Sequence, residues 1–311
     1  MKVLVLGGDG FIGSHVVDQL LNQGHEVTVF DRFPYNISRN LEHQRCRIRF
    51  VSGEFANRAD VARALSGQDV VFHFISNTNP AASWNDPYVE IEENLKYSCQ
   101  LFELAADHGI KKIVFPSSGG TVYGRHTGLI SEKTLPQPFN PYGIGKLAAE
   151  YFLNYFREAR NIASDIYRIG NAYGPRQPIE SSQGVVAVWM GRILKDEDVV
   201  IYGGEETIRD YIYVEDIAYL MTYSLRDLSA SKLFNLGTGR GISILDMLNI
   251  FCSVFGDSLK YSICPRRKSD NNYVVLDSSK LLAHFPGFAF QNLEEKIRDT
   301  WFYLKERYGQ S

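Results

Sequence analysis

The sequence predicts an α/β fold: a doubly wound parallel sheet carrying a smaller C-terminal α/β lobe. Three observations predict it. Apolar strands alternate with amphipathic helices through the first half of the chain, a glycine-rich turn joins the first strand to the first helix, and turn-rich segments take over beyond Asn171. The opening strand, Lys2 to Leu6, leads into Gly7-Gly8-Asp9-Gly10-Phe11-Ile12-Gly13 and a helix from about Phe11 to Asn22, closed by Gly24 at C′. Strands Glu26 to Phe30, Ile48 to Val51, Val70 to Phe74 and Lys112 to Phe115 follow, with helices Arg58 to Leu65 and Val89 to His108 between them. A helix from about Tyr142 to Arg160 and a strand from Ala163 to Ile169 continue the pattern. Residues 1–170 are therefore expected to form one domain, joined by a strand near 233–236, and residues 171–311 a second lobe.

Composition excludes several function classes. The 311 residues are 44% hydrophobic and 22% charged, enough to bury a substantial core. A net charge of −3 and a pI near 6.2 supply no basic field for nucleic acid. A strand begins at Lys2 and no apolar run reaches the roughly 18 residues a membrane span needs, so no membrane partner is expected and cytoplasm is the expected address. Cys46, Cys99, Cys252 and Cys264 lie without CxxC or Cys/His spacing, so neither a metal site nor a disulfide frame is expected.

The glycine turn is where chemistry enters. Between an apolar strand and a helix, Gly7, Gly10 and Gly13 let the backbone turn tightly and approach a pyrophosphate, which the helix N-terminus then binds through its N–H groups. Phe11 and Ile12 open that helix. Asp31, at the end of the second strand, is suited to both hydroxyls of an adenosine ribose and favours NAD over NADP, although Arg32 beside it is suited to a 2′-phosphate. The domain is thus expected to be of Rossmann type with NAD as cofactor. Glu54 and Phe55, after the third strand, are placed to flank the adenine; a solvated Glu at a strand end is the plain alternative for Glu54.

Tyr142 and Lys146 stand one helical turn apart, on one face of a helix that Pro141 starts. A free phenol, with a pKa of about 10, is a poor base at neutral pH. A neighbouring ammonium and an oxidised nicotinamide, both positive, would bring it toward the working range.

Five segments together resemble the extended short-chain dehydrogenase/reductase family, and within it the nucleotide-sugar epimerases of the UDP-glucose 4-epimerase type. They are Gly7 to His15, Ser117-Ser118-Gly119-Gly120-Thr121-Val122-Tyr123-Gly124, Pro141 to Lys146, Arg168 to Pro175 and Arg209 to Asp216, and the likeness covers nearly the whole chain. The resemblance implies a Ser-Tyr-Lys set. Many relatives carry its hydroxyl at the position of Gly119; here Ser118 is assigned that role with Ser117 in reserve. Phe74 and Asn94 join the expected cofactor contacts.

The resemblance also implies a UDP-sugar partner. Asn171 resembles the family's contact to the diphosphate or sugar, Arg209 and Arg267 the arginines that pair with the diphosphate, and Asp270 the acid on the nucleotide ribose; Val185, Val186 and Tyr202 are looser candidates for the pocket wall. The implied reaction is inversion at C4 through a transient 4-keto sugar, with Tyr142 taking the C4 hydroxyl proton and no metal needed. A 4,6-dehydratase is disfavoured because Gly119 and Gly120 occupy the region where that enzyme carries an acid pair, and a keto-sugar reductase because Asp31 argues against NADPH. A dinucleotide-binding sensor without activity would not be expected to keep Tyr142 and Lys146. Val274, where some relatives have a bulky Tyr, suggests a pocket open to a modified sugar. The helices at Val89 to His108 and Tyr142 to Arg160 resemble the pair through which relatives dimerise, so a homodimer is expected, with Leu95, Leu101, Phe102, Leu104, Leu147, Tyr151 and Phe152 as the apolar residues shared between core and interface.

Overall fold

The computed structural model describes residues 1–181, 183–204, 206–256, 259–265 and 271–309. Along the chain the elements are β1 (Lys2–Leu6), α1 (Phe11–Asn22), β2 (Glu26–Asp31), β3 (Ile48–Ser52), α2 (Arg58–Leu65), β4 (Val70–His73), α3 (Pro80–Asn85), α4 (Lys96–Asp107) and β5 (Lys112–Ser118). Then come α5 (Pro141–Arg160), β6 (Ala163–Ile169), β7 (Asn171–Tyr173), α6 (Val185–Leu194), β8 (Val199–Tyr202), β9 (Ile208–Tyr213) and α7 (Val214–Met221). The chain ends with β10 (Lys232–Leu236), β11 (Gly241–Ser243), α8 (Ile244–Phe255), β12 (Tyr261–Cys264), β13 (Tyr273–Val274), α9 (Ser279–Leu282) and α10 (Leu293–Tyr308).

Seven strands form one parallel sheet in the order β10-β6-β5-β4-β1-β2-β3. The pleat explains its two covered faces. Val3 and Val5 of β1 join Val27, Val29 and Phe72 under α1 and α7, while Leu4 and Leu6 point the other way to Val61, Leu101, Phe102 and Leu153 of α2, α4 and α5. Each such side chain, taken fully out of water, contributes about 1.5–3 kcal/mol. Strand β10, from late in the chain, pairs with β6 from Lys232↔Asp165 to Leu236↔Ile169. A separate core of Trp189, Met190, Ile201, Met247, Phe251 and Ile297 holds α6, α8 and α10 around β8 and β9.

Three stretches depart from the expected elements. Strand β5 runs past Phe115 to Ser118, because parallel pairing with β6 continues through Pro116↔Tyr167 to Ser118↔Ile169. The helix expected over Val89 to His108 contains a π turn, Glu90–Leu95, ahead of α4. Helix α3 was not expected; Asn79 caps it by accepting the Ala81 and Ala82 N–H groups. Among the described residues no helix is long and apolar enough to cross a membrane.

Candidate active site

One cavity of about 500 Å³ runs along the C-terminal edge of the large sheet, from the glycine turn past Ser118 and Tyr142 to Tyr202 and Arg209. At its first end Gly7, with φ of 72°, gives the turn its left-handed residue, and a Cβ there would meet the Ile75 backbone N at 2.9 Å. A Cβ on Gly13 would lie 2.3 Å from the Gly7 carbonyl oxygen. Helix α1 starts at Gly10 with no side chain capping its N-terminus, whereas α2, α3, α5, α8 and α10 are each capped by an Asn or Ser. The N–H groups of its first turn, facing a cradle that any Cβ would fill, fit the pyrophosphate of a dinucleotide.

Asp31 ends β2 and accepts the Asp9 N–H at 3.0 Å and the Arg32 N–H at 2.8 Å; burial pushes its carboxyl up, and those donors partly offset the rise. Arg32 is exposed. A brace that sequence reasoning missed stands alongside: the Asp9 carboxylate accepts Ser38 Oγ, Arg39 N and Asn40 N at 2.5, 2.7 and 2.9 Å, drawing residues 38–40 over the glycine turn.

Phe74 lines the cavity; of the other expected cofactor contacts, Asp31 and Arg32 stand beyond its lining at the end of β2, and Glu54, Phe55 and Asn94 do not line it either. The Phe55 ring is buried in the core, 5.1 Å from the His73 ring, so it cannot present its face to an adenine. Glu54 is exposed, and its N–H donates to Asp60. The Asn94 amide is spent inside the fold: its oxygen accepts Asn77 N, and its nitrogen donates to Thr78 Oγ1 and Glu90 Oε2. It steadies the segment after β4 from behind the wall.

At mid-cavity, Asn140 caps α5 by accepting the Gly143 N–H at 2.7 Å, and Pro141 takes the first turn. This turns Tyr142 and Lys146 to the cavity. Lys146 Nζ donates to the Pro116 carbonyl at 3.0 Å and sits 4.7 Å from the Phe115 ring centroid and 5.7 Å from that of Tyr142. Burial pulls Lys146 down to about 8, while the charges of Glu90 and Glu150 oppose this. Tyr142 differs from the sequence expectation. Burial and then the Glu90 charge push its phenol well up, and a hydrogen bond with Ser76, not the Lys146 charge, supplies the offset within the protein.

Ser118 lines the cavity beside this pair. Ser117 donates its hydroxyl to Glu150, which also holds Arg168 at 2.6 Å, so Ser117 is committed to the fold. Gly119 has no room for a side chain, since a Cβ would meet Leu276 Cδ1 at 2.4 Å and the Arg168 carbonyl at 3.0 Å.

At the far end the wall includes Asn171, Val185, Val186, Tyr202 and Arg209. Asn171 Nδ2 donates to the Asp210 carbonyl at 3.4 Å, and the Arg209 guanidinium is anchored on the Asn271 and Asn272 carbonyls at 2.6 and 3.2 Å. Helix α6 begins here at Gly184, again without a side-chain cap. Arg267 and Asp270 lie outside the described residues. Gln177, Thr207 and Tyr211, not singled out from the sequence, also line this end, and each has a buried polar atom without a hydrogen-bond partner among the described residues. Val274 is not on the wall: it is buried with Val122, Tyr123, Ile130 and Leu276, so it cannot gate the pocket. Among the described residues no group of three His, Cys, Asp or Glu side chains is placed to hold a metal ion.

A glycine-cradled helix N-terminus and a Tyr-Lys helix opening into one cavity define a dinucleotide-dependent α/β enzyme. The family model of the NAD dependent epimerase/dehydratase family matches residues 3–237, and the chain belongs to that family. The bifunctional UDP-glucose 4-epimerase and UDP-xylose 4-epimerase 1 of Pisum sativum is 31% identical over 98% of this chain and 95% of its own. The UDP-glucose 4-epimerase of Thermotoga maritima, solved with UDP-glucose, superposes with a TM-score of 0.89 at 32% identity and covers 99% of each chain. A dTDP-glucose 4,6-dehydratase of Streptomyces venezuelae, solved as a double mutant with NAD bound, reaches 0.90 at 26% identity, covering 99% of this chain and 98% of its own. NAD is the cofactor of the family, and the cradle at Gly7 to Gly13 fits it.

Proposed function

We propose that this chain is an NAD-dependent epimerase that inverts C4 of a UDP-hexose through a transient 4-keto sugar. The observation that carries the reading is a single cavity with two uncapped helix N-termini at its ends, α1 and α6, and the Tyr142–Lys146 pair and Ser118 between them. Two phosphate-bearing ligands meeting end to end fit such a cavity. Bound NAD supplies the acceptor for the C4 hydrogen and its return. Gly7, Gly10, Phe11, Ile12 and Gly13 bind its pyrophosphate, and Asp31 orients the adenosine ribose. Arg209, with Asn171 and the α6 N-terminus, grips the diphosphate of the sugar nucleotide, the guanidinium staying charged at any working pH. Tyr142 takes the C4 hydroxyl proton and gives it back to either face of the keto sugar. Ser118 holds that oxygen, and Lys146 bonds the nicotinamide ribose beside it.

A dehydratase needs an acid and a base beside the same carbon to expel water. No Asp or Glu among the described residues lines the cavity, which favours the epimerase. Ile91 of the π turn and Ile144, Tyr151, Phe152 and Tyr155 of α5 lie exposed together, which supports a homodimer closed over these helices. Of the other apolar residues named for this purpose, Leu101, Phe102 and Leu104 are buried in the core, while Leu95 and Leu147 are partly buried against it.

The test is an NMR time course of the purified protein with NAD and UDP-glucose, UDP-N-acetylglucosamine or UDP-glucuronate. Interconversion with the C4 epimer and no net NADH is the expected result, with Tyr142→Phe lowering turnover by about 10²–10⁴-fold. Accumulation of a keto product or of NADH would refute the epimerase.

A further inference from the structure

Behind the wall that carries Tyr142 and Lys146 lies a carboxylate that no step above uses. Glu90 opens the π turn and is 3% exposed. Thr78 Oγ1 and Asn94 Nδ2 both donate to its Oε2, the latter at 3.0 Å. Its other oxygen rests on α5 at Gly145, where an added Cβ would lie 2.4 Å from Oε1 and 2.5 Å from Cγ. Gly145 separates the two working residues of the helix in sequence, so its bare backbone is what lets a carboxylate close in between them. A π turn inserted in an α-helical stretch often marks a functional position; here it aims Glu90 at α5.

The charges around Lys146 leave Glu90 a distinct place. Glu150, one turn along α5, is occupied by Arg168 and Ser117. His73, on β4, is held neutral because burial lowers it to about 3. The Tyr142 phenol meets Ser76, and its N–H donates to Ser83 Oγ of α3 at 3.2 Å; neither serine carries a charge. Among the described residues near this pair, Glu90 is thus an acid whose carboxylate is held by neutral groups and not by a salt bridge. Burial pushes its carboxyl up, while Thr78, Asn94 and Lys146 favour its charged form.

We propose that Glu90 is a positioning residue for the Tyr142–Lys146 pair: clamped by Thr78 and Asn94 and seated on Gly145, its carboxylate holds Lys146 as ammonium and sets the pH range in which Tyr142 exchanges protons. It acts through that pair, since it does not line the cavity, and the proposal rests on the reading of Tyr142 and Lys146 given above. The sign is the same for both partners. A negative charge disfavours phenolate and favours ammonium, so it raises both proton affinities, and removing it lowers both.

The experiment is the pH profile of kcat/KM for the NAD-loaded protein, for Glu90→Gln, Glu90→Asp and Gly145→Ala. Glu90→Gln is expected to move both limbs of the profile to lower pH by about 1 unit. Glu90→Asp, which keeps the charge, restores the limbs toward wild type even where its rate is lower. Gly145→Ala pushes the carboxylate off α5 and moves both limbs in the same direction by less, so the proposal stays testable if Glu90→Gln does not fold. Unmoved limbs in Glu90→Gln, or in Gly145→Ala where that variant has to stand in, reduce Glu90 to a brace for the π turn and overturn the proposal. If Tyr142→Phe keeps wild-type turnover, the pair itself is misassigned; if Tyr142→Phe is inactive and the Glu90→Gln limbs stay put, the proposal on Glu90 alone falls.

Discussion

Restoring a hydroxyl at Gly119, where many relatives carry one, should harm this protein rather than help it. In Gly119→Ser the new Cβ lies 2.4 Å from Leu276 Cδ1 and 3.0 Å from the Arg168 carbonyl oxygen. The first distance is about 1 Å inside ordinary carbon–carbon contact. Leu276 is fully buried among Val122, Tyr123, Ile130 and Val274, so it cannot swing into solvent, and the Arg168 carbonyl belongs to β6. Overpacking of this kind costs about 1–3 kcal/mol. Leu276→Ala alone costs about 2–5 kcal/mol through the cavity it leaves. The two changes relieve each other, so the double variant should be more stable than the sum of the singles by about 0.5–3 kcal/mol. Urea unfolding of the four proteins, with epimerase rates measured in parallel, tests this. Gly119→Ser as stable as wild type, or faster in turnover, would refute both the steric argument and the assignment of the role to Ser118.

Three further outcomes follow from particular contacts. Gly13→Ala puts a Cβ 2.3 Å from the Gly7 carbonyl, so NAD binding measured by calorimetry should be lost while the fold by circular dichroism is kept. Tyr151→Glu with Phe152→Glu places two charges on the exposed face of α5 and should give a monomer by light scattering, where an unchanged mass would exclude that face as the interface. Burial holds His15 at about 4 and His73 at about 3, below the ordinary 6.5, so both are neutral when folded and charge on unfolding. Their contribution is present above pH 6.5 and is lost as pH falls toward 4, so the urea midpoint should drop over that range; a flat midpoint would contradict it.

What was legible in the sequence was local. The glycine turn, the strand and helix around it and the Tyr142–Lys146 spacing are set within one element or two, so periodicity and turn chemistry suffice. Strand β10 was legible as an apolar run, although its pairing with β6 is made far along the chain. The Asp9 brace, the π turn and Glu90 were not legible, because each depends on which segment packs opposite. Val274 shows the reason most plainly: which face of a two-residue strand is buried depends on pairing with β9 at Val274↔Arg209, and no local pattern announces that. Asn94 had the right neighbourhood, but its amide was claimed by Asn77, Thr78 and Glu90.

The distribution of acids around the cavity argues in the same direction as the helix termini. Glu90, Glu150, Asp9 and Asp210 all stand close to the wall, and each turns its carboxylate away from the cavity to hold protein groups. Asp210 alone accepts Thr238 N, Thr238 Oγ1, Gly239 N and Leu276 N at 2.6–3.1 Å. The wall itself presents hydroxyls, amides, Lys146 and Arg209. A carboxylate aimed at either diphosphate would repel it, whereas Asp31, at the end of β2, is placed for ribose hydroxyls instead. Acids retained one layer back still shape the field, as Glu90 does for Lys146, without meeting the phosphates. Reversible inversion at one carbon asks for that arrangement: a proton carrier with a tuned affinity, a neutral hydroxyl beside it and, among the described residues, no second acid on the wall to carry the keto sugar onward to dehydration.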